Sequence, residues 1–301
     1  MSLERDFYEE RRRRWRRSAF WRGVLVTLAV LIGLGVLGAV LGRDAQRGPH
    51  IARITVTGTI TDNPARAKLL AEVARDANAR AVIVRINSPG GTVAGSEALY
   101  TNLRAIAEQK PLVATMGEVA ASGGYIAALA ADHVVARGGT MTGSIGVIVE
   151  YPQVAELLDD VGVEIVTIRS SDIKGGPSPF RDLDPAQRAE IERLIADSNG
   201  WFRDLVADRR GLSGAALEQV ATGGVFTGRM AIDSDLIDAI GGEQEARAWL
   251  TEQDAGLADL RVRDRKVPRE DRGLLRELLG SETLDAVLDP QWTRRLLAVY
   301  R

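Results

Sequence analysis

The sequence predicts an α/β domain built on a parallel sheet. Three observations carry this. From Ile51 onward the chain alternates between period-two and helical spacing, short β-branched runs are apolar on both faces, and glycine turns stand at or near the ends of those runs. Residues 52–60 read as the first strand, with Ala52, Ile54 and Val56 at period two and Gly58 breaking the alternation. A helix is expected over 64–79, where Leu69, Leu70, Val73 and Ala77 fall at helical spacing. Residues 81–86 form a buried strand that ends in a turn, and a helix over 94–107 follows. A third strand at 111–116 leads to a small-residue helix at 122–131 and a short strand at 133–136. Strands at 145–150 and 163–168 are expected to flank a helix at 154–161, before one long amphipathic helix at 185–210. The domain is expected over 51–254. Residues 255–301 form a charge-dense helical tail, with a possible strand at 260–262 and helical pieces at 269–279 and 281–288.

Composition narrows the chemistry. The 301 residues include no cysteine, which excludes disulfides, thiolate metal sites and a cysteine nucleophile. Two histidines, His50 and His133, leave little room for a histidine metal cluster, so neither metal nor cofactor is expected. Of 39 basic residues only four are lysines (Lys68, Lys110, Lys174, Lys266), leaving 35 arginines. Arginine holds its proton in proteins whereas lysine can release one, so each lysine is a candidate base.

The net charge of -2 is unevenly spread. Residues 1–22 carry eight arginines against Glu4, Asp6, Glu9 and Glu10, and residues 23–41 are uncharged, with Thr27 as the only polar side chain. Nineteen helical residues span about 28 Å, close to the hydrocarbon thickness of a bilayer. The expectation is a basic cytoplasmic N-terminus (1–22), a transmembrane signal anchor (23–42), a linker (43–50) and an extracytoplasmic domain. Gly38 and Gly42 form a small-xxx-small pair, a spacing also common in membrane helices generally. The position of the arginine run against the apolar stretch points to membrane topology, not nucleic acid.

Three glycine turns could present free backbone N–H groups: Ser88-Pro89-Gly90-Gly91, Ser122-Gly123-Gly124 and Thr142-Gly143-Ser144-Ile145-Gly146. None has the spacing of a P-loop or a dinucleotide fingerprint. Ser122 opens a predicted helix, where it reads either as an N-cap or as a nucleophile. A nucleophilic serine needs a base. His133 heads a strand leading away from Ser122, and His50 lies in the linker. Lys174 lies in a Gly/Pro-rich loop, where a surface lysine is the ordinary reading. As a base it would need its pKa lowered from about 10.4 by roughly three units, a differential of about 4 kcal/mol.

These turns, together with Met116-Gly117-Glu118-Val119-Ala120-Ala121, Lys174…Ser178-Pro179-Phe180 and Gly228…Ala231…Leu236-Ile237-Asp238…Gly241-Gly242, resemble the S49 family of bacterial serine proteases, the signal peptide peptidase A group in its short single-domain form. The resemblance covers residues 51–250. It implies a ClpP/crotonase-like fold of repeated β-β-α units, here preceded by one transmembrane helix. It further implies Ser122 as nucleophile, Lys174 as general base, Ser144 orienting the lysine, and Gly91 and Gly123 N–H groups as the oxyanion hole, each donor worth about 3 kcal/mol.

The family assembles as a membrane-tethered homo-oligomer. An octamer with sites shared between protomers is expected, so Ser122 and Lys174 of one chain should lie out of hydrogen-bond reach. The implied substrates are remnant signal peptides and other extended apolar segments, cleaved on the extracytoplasmic face of a bacterial plasma membrane. Asp235 stands where the family has glycine, and Ile126 where it is often aromatic. A crotonase-like acyl-CoA enzyme and a non-enzymatic membrane scaffold are the competing readings.

Overall fold

The computed structural model describes residues 25–34 and 48–267. Residues 25–34 form a helix, α1, with exposed side chains. The rest of the expected anchor, the basic segment 1–22 and the tail pieces at 269–279 and 281–288 lie outside the described residues. Among the described residues no helix is long and apolar enough to cross a membrane.

The sheet is built from β1 (His50–Thr57), β2 (Ala79–Ser88), β3 (Leu112–Ala121), β4 (His133–Ala136), β5 (Met141–Gly143), β6 (Val225–Thr227), β7 (Ala239–Ile240) and β8 (Val262–Arg265). Its order is β6-β5-β3-β2-β1-β8, with β4 joined to β3 and β7 to β4. The β1/β8, β2/β3, β3/β4, β3/β5 and β4/β7 pairs are parallel, and β5/β6 is antiparallel.

Alternation along the strands supplies two cores. Ala52, Ile54, Val56, Val82, Val84, Ile86, Leu112, Ala114 and Met116 face the larger one. It is covered by α2 (Pro64–Arg75), α3 (Val93–Ala107), α4 (Gly123–Leu129) and the C-terminal part of α6 (Pro185–Arg210). On the other face Ile51, Ala81, Ile83, Val113 and Val135 pack against Ala246 and Leu250, which belong to α9 (Glu243–Gln253). The remaining helices are short: α5 (Ala155–Asp160), α7 (Gly214–Val220) and α8 (Gly228–Asp233).

Local chemistry sets several helix ends. Asn63 caps α2 ahead of Pro64, and Asp184 caps α6 ahead of Pro185. Helix α2 stops at Arg75, short of the expected 79, because Asp76 turns extended and β2 begins at Ala79. The Lys110 ammonium donates to Val73 O and Asp76 O there, both at 3.0 Å.

β3 runs five residues past its expected end because it changes partners. Residues 113–116 pair with β4, while residues 119–121 pair with β5. At the fork Thr140 Oγ donates to Gly117 O (2.7 Å), and Asn87 Oδ1 accepts from Glu118 N (2.9 Å) and Val119 N (3.1 Å). Asn87 itself sits at the register shift of the β2/β3 ladder.

Two expected strands do not form. Residues 145–150 and 163–168 carry no strand pairing, because the free edge of β5 is taken by β6. Ile145 still packs into the larger core, but other β-branched side chains of these segments are left in solvent, Ile148 at 83% exposure and Ile168 at 95%. β8 lies beyond Asp254 and completes the far edge of the sheet by pairing with β1.

His133, at the start of β4, stacks on Trp249 of α9 with ring centroids 4.9 Å apart. Burial lowers its pKa from 6.5, opposed by Asp238 at 3.9 Å and reinforced by Arg210. A depressed pKa means the fold favours neutral imidazole, so this stability is present above the unfolded-state pKa and is lost as pH falls. We expect the urea midpoint to drop between about pH 7.5 and 5.5, and His133→Phe, which keeps the stack, to flatten that slope. An unchanged slope in His133→Phe would contradict the assignment.

Candidate active site

Ser122 stands between the end of β3 and the start of α4, with φ 52° and ψ −121°. This backbone region is costly for a residue bearing a Cβ, by about 1–3 kcal/mol. Surrounding hydrogen bonds hold it: Ser122 N donates to Gly143 O (2.8 Å), while Tyr125 N (2.8 Å) and Ile126 N (3.0 Å) donate to Ser122 O. The side chain makes no cap hydrogen bond, so the capping role open to it in the sequence is not the one it fills. Ser122 is half-buried, with its hydroxyl free of partners among the described residues. A serine on a strained strand-to-helix turn is the geometry that exposes an Oγ for attack.

All seven residues of α4 are buried. Tyr125 anchors the helix by donating from its phenol to Leu236 O (2.8 Å), and burial pushes that phenol's pKa upward, keeping it a donor.

Opposite Ser122 lies the turn that follows β2. Ile60 N donates to Gly90 O (2.8 Å) and Thr92 N to Ile60 O (2.9 Å), which leaves the Gly91 N–H between them without an acceptor among the described residues. Gly123 N, in the first turn of α4, is likewise unengaged among the described residues. The two amides are close. A Cβ on Gly123 would sit 3.2 Å from Gly91 N while overlapping Ser96 Oγ, and a Cβ on Gly90 would sit 2.9 Å from both Gly123 N and Ser122 Cβ. Ser122 is thus bordered by two free N–H groups, the arrangement required to hold an oxyanion.

Ser144 lies one residue past the carbonyl that receives Ser122 N. It has φ 51°, follows Gly143 at φ 75°, and donates its own N–H to Gly224 O (2.7 Å). Lys174 is not bonded to either of these serines. Its backbone N–H donates to Ser171 O (3.2 Å), its side chain is exposed, and no hydrogen bond or ion pair joins it to Ser122 or Ser144. Ser122, Gly91, Gly123 and Ser144 are therefore gathered by the fold, and Lys174 makes no bond to them.

Two features were hidden in the sequence. One is the left-handed backbone at Ser122 and Ser144. The other is Ser88, fully buried, whose hydroxyl donates to Gly58 O (2.6 Å) and accepts from Gly90 N (3.1 Å). Serine is common in turns, so only the contact to Gly58, thirty residues away, distinguishes it. A separate cleft of about 530 Å³, lined by Arg53, Arg66, Arg85 and Lys266 among others, contains none of the predicted site residues. Among the described residues no cluster of three or more His, Asp or Glu could hold a metal ion.

The chain is similar to known proteases. The profile of peptidase family S49 matches residues 104–257, and that of Clp protease matches residues 50–140. A Synechocystis protein named as a protease is 38% identical over 234 residues, covering 77% of this chain and 84% of its own length. The chloroplastic serine protease SPPA of Arabidopsis thaliana is 34% identical over 223 residues, covering 70% of this chain but only 33% of that protein. Among solved structures, a mutant of the 1510-N membrane-bound stomatin-specific protease superposes with a TM-score of 0.50 at 15% identity, covering 74% of this chain and 99% of that one.

The strained turn makes a stability prediction independent of activity. Ser122→Gly relieves the positive φ that Ser122→Ala retains, so the glycine variant should be more stable by about 1 kcal/mol in urea unfolding, net of glycine's added unfolded-state entropy. Equal stabilities, or a more stable alanine variant, would contradict the strain.

Proposed function

The chain belongs to peptidase family S49 and is a serine protease, and we propose that it works as a membrane-anchored endopeptidase with a Ser122–Lys174 dyad shared between neighbouring copies. The observation that carries the reading is the free Ser122 hydroxyl on its strained turn, bordered by the unengaged N–H groups of Gly91 and Gly123.

In this reading the neutral Lys174 amine takes the Ser122 proton as Oγ attacks a peptide carbonyl. Negative charge forms on the carbonyl oxygen between Gly91 N and Gly123 N, where the two donors are already fixed. The resulting lysine ammonium protonates the departing amine and leaves an acyl-enzyme. A water then gives its proton to Lys174 and attacks the ester, releasing the acid and returning the Ser122 proton. Ser144, next to the carbonyl that anchors Ser122, orients the incoming amine.

A second copy as the source of Lys174 is supported by the surface that carries it. Ile148, Val149, Val163, Ile165, Val166, Ile168, Ile173 and Phe180 are all exposed. An exposed apolar stretch of this size marks an interaction surface. The membrane anchor rests on the arginine-flanked apolar stretch at 23–41. Remnant signal peptides and other extended apolar peptides as substrates rest on the resemblance to signal peptide peptidase A.

The test is peptide hydrolysis by wild type, Ser122→Ala, Lys174→Ala and Lys174→Arg. All three variants should fall by at least about a thousandfold, arginine included because it cannot serve as a base. Co-expressing Ser122→Ala with Lys174→Ala distinguishes shared from single-chain sites. Random pairing should restore roughly a quarter of wild-type activity if the dyad crosses between copies, and none if it forms within one chain. Substantial activity in Lys174→Arg would sink the dyad.

A further inference from the structure

We propose that Ser88 is the positioning residue of the oxyanion loop, setting the direction of the Gly91 N–H through the backbone of Gly90. The proposal rests on the reading of Gly91 and Gly123 as the oxyanion donors.

Ser88 closes β2, one residue beyond the register shift with β3, and has no exposed surface. Its hydroxyl is used twice. It donates to Gly58 O at 2.6 Å and accepts from Gly90 N at 3.1 Å. The Gly90 N–H is buried, and this hydroxyl is its acceptor. The peptide between Gly90 and Gly91 carries the Gly91 N–H, and Gly90 O at its other end accepts from Ile60 N. Rotation of that peptide would swing the N–H away from Ser122, and the bonds on either side of it resist the rotation.

The Ser88 carbonyl completes the arrangement from the other side. A Cβ on Gly124 would stand 2.6 Å from Ser88 O, so the helix bearing the Gly123 N–H rests directly on the same residue. Ser88 thus touches both halves of the oxyanion site without reaching the substrate. Gly58 is steadied as well, since its N–H donates to Asn87 O at 3.1 Å, and Asn87 is tied to β3 by its side chain.

Transition-state charge is more sensitive to donor direction than ground-state binding is. Ser88→Ala should therefore lower kcat by about 10–100-fold while KM shifts by less than about threefold, with rates referred to sites titrated by a fluorophosphonate. Affinity for a peptide aldehyde, whose adduct with Ser122 carries the same oxyanion, should weaken in step with kcat/KM. Ser88→Thr keeps the hydroxyl and should recover most of the rate. If the alanine variant does not fold, Ser88→Cys keeps the volume, weakens both bonds and gives the same readouts. A loss of titratable sites with kcat per site and aldehyde affinity unchanged overturns the role of Ser88 and leaves Ser122 in place. Hydrolysis that survives in Ser122→Ala overturns the reading beneath it, and the role of Ser88 with it.

Discussion

Two stretches of backbone in this domain lie closer together than side chains permit, and the site depends on that contact. The turn after β2 and the first turn of α4 meet through Gly90, Gly91, Gly123 and Gly124. A Cβ on Gly91 would overlap Ile60 O, and one on Gly123 would overlap Ser96 Oγ. Removing the Cβ atoms lets α4 settle onto the turn until two amides from separate elements face one point. The approach has no tolerance for an added methyl, because the opposing atoms are backbone or a buried hydroxyl that already donates to Thr92 O at 2.9 Å.

Settling α4 that deeply creates a second demand. A helix with every residue buried leaves its last carbonyls away from water, where unsatisfied acceptors are costly. Arginines from two other helices meet them. Arg104 Nη1 donates to Ala130 O at 3.0 Å, and Arg209 donates from Nε to Leu129 O and from Nη2 to Ala131 O, both at 2.8 Å. One planar guanidinium can serve two carbonyls held a fixed distance apart, which the point charge of a lysine does less well. Some of the arginine bias in the composition is therefore structural. Lys110 does the same work at the end of α2, where its ammonium meets Val73 O and Asp76 O.

The parts of the fold legible in the sequence are those set by local rules. Alternation marks β1, short apolar β-branched runs mark β2 and β4, and the Asn63-Pro64 and Asp184-Pro185 pairs announce the starts of α2 and α6. What escapes is decided by distant partners. The second half of β3 exists because β5 pairs with it, and three-residue strands such as β5 and β6 carry too little pattern to be seen. Residues 163–168 have strand composition but pair with no strand among the described residues, so β propensity overstates them. At the site the glycine turns are visible, because glycines closing an apolar run mark backbone that must turn sharply or approach another segment closely. Ser122 and Ser144 give no sign of their positive φ, which serine ordinarily avoids, and Lys174 stands out only through its rarity and the resemblance of its loop.

The fork in β3 divides the sheet into arms with separate duties. One arm, β4 and β7, ends in the His133–Trp249 stack and bears on stability. The other, β5 and β6, holds Gly143 under Ser122 and Gly224 under Ser144. Thr140, bonded to Gly117 O and to Arg137 N, pins the crotch between them. The arms nevertheless share an anchor: Tyr125 of α4 donates to Leu236 O, just ahead of β7, and Asp238 N donates to Val134 O, so a displacement of the β4 arm is carried to the helix that opens at Ser122.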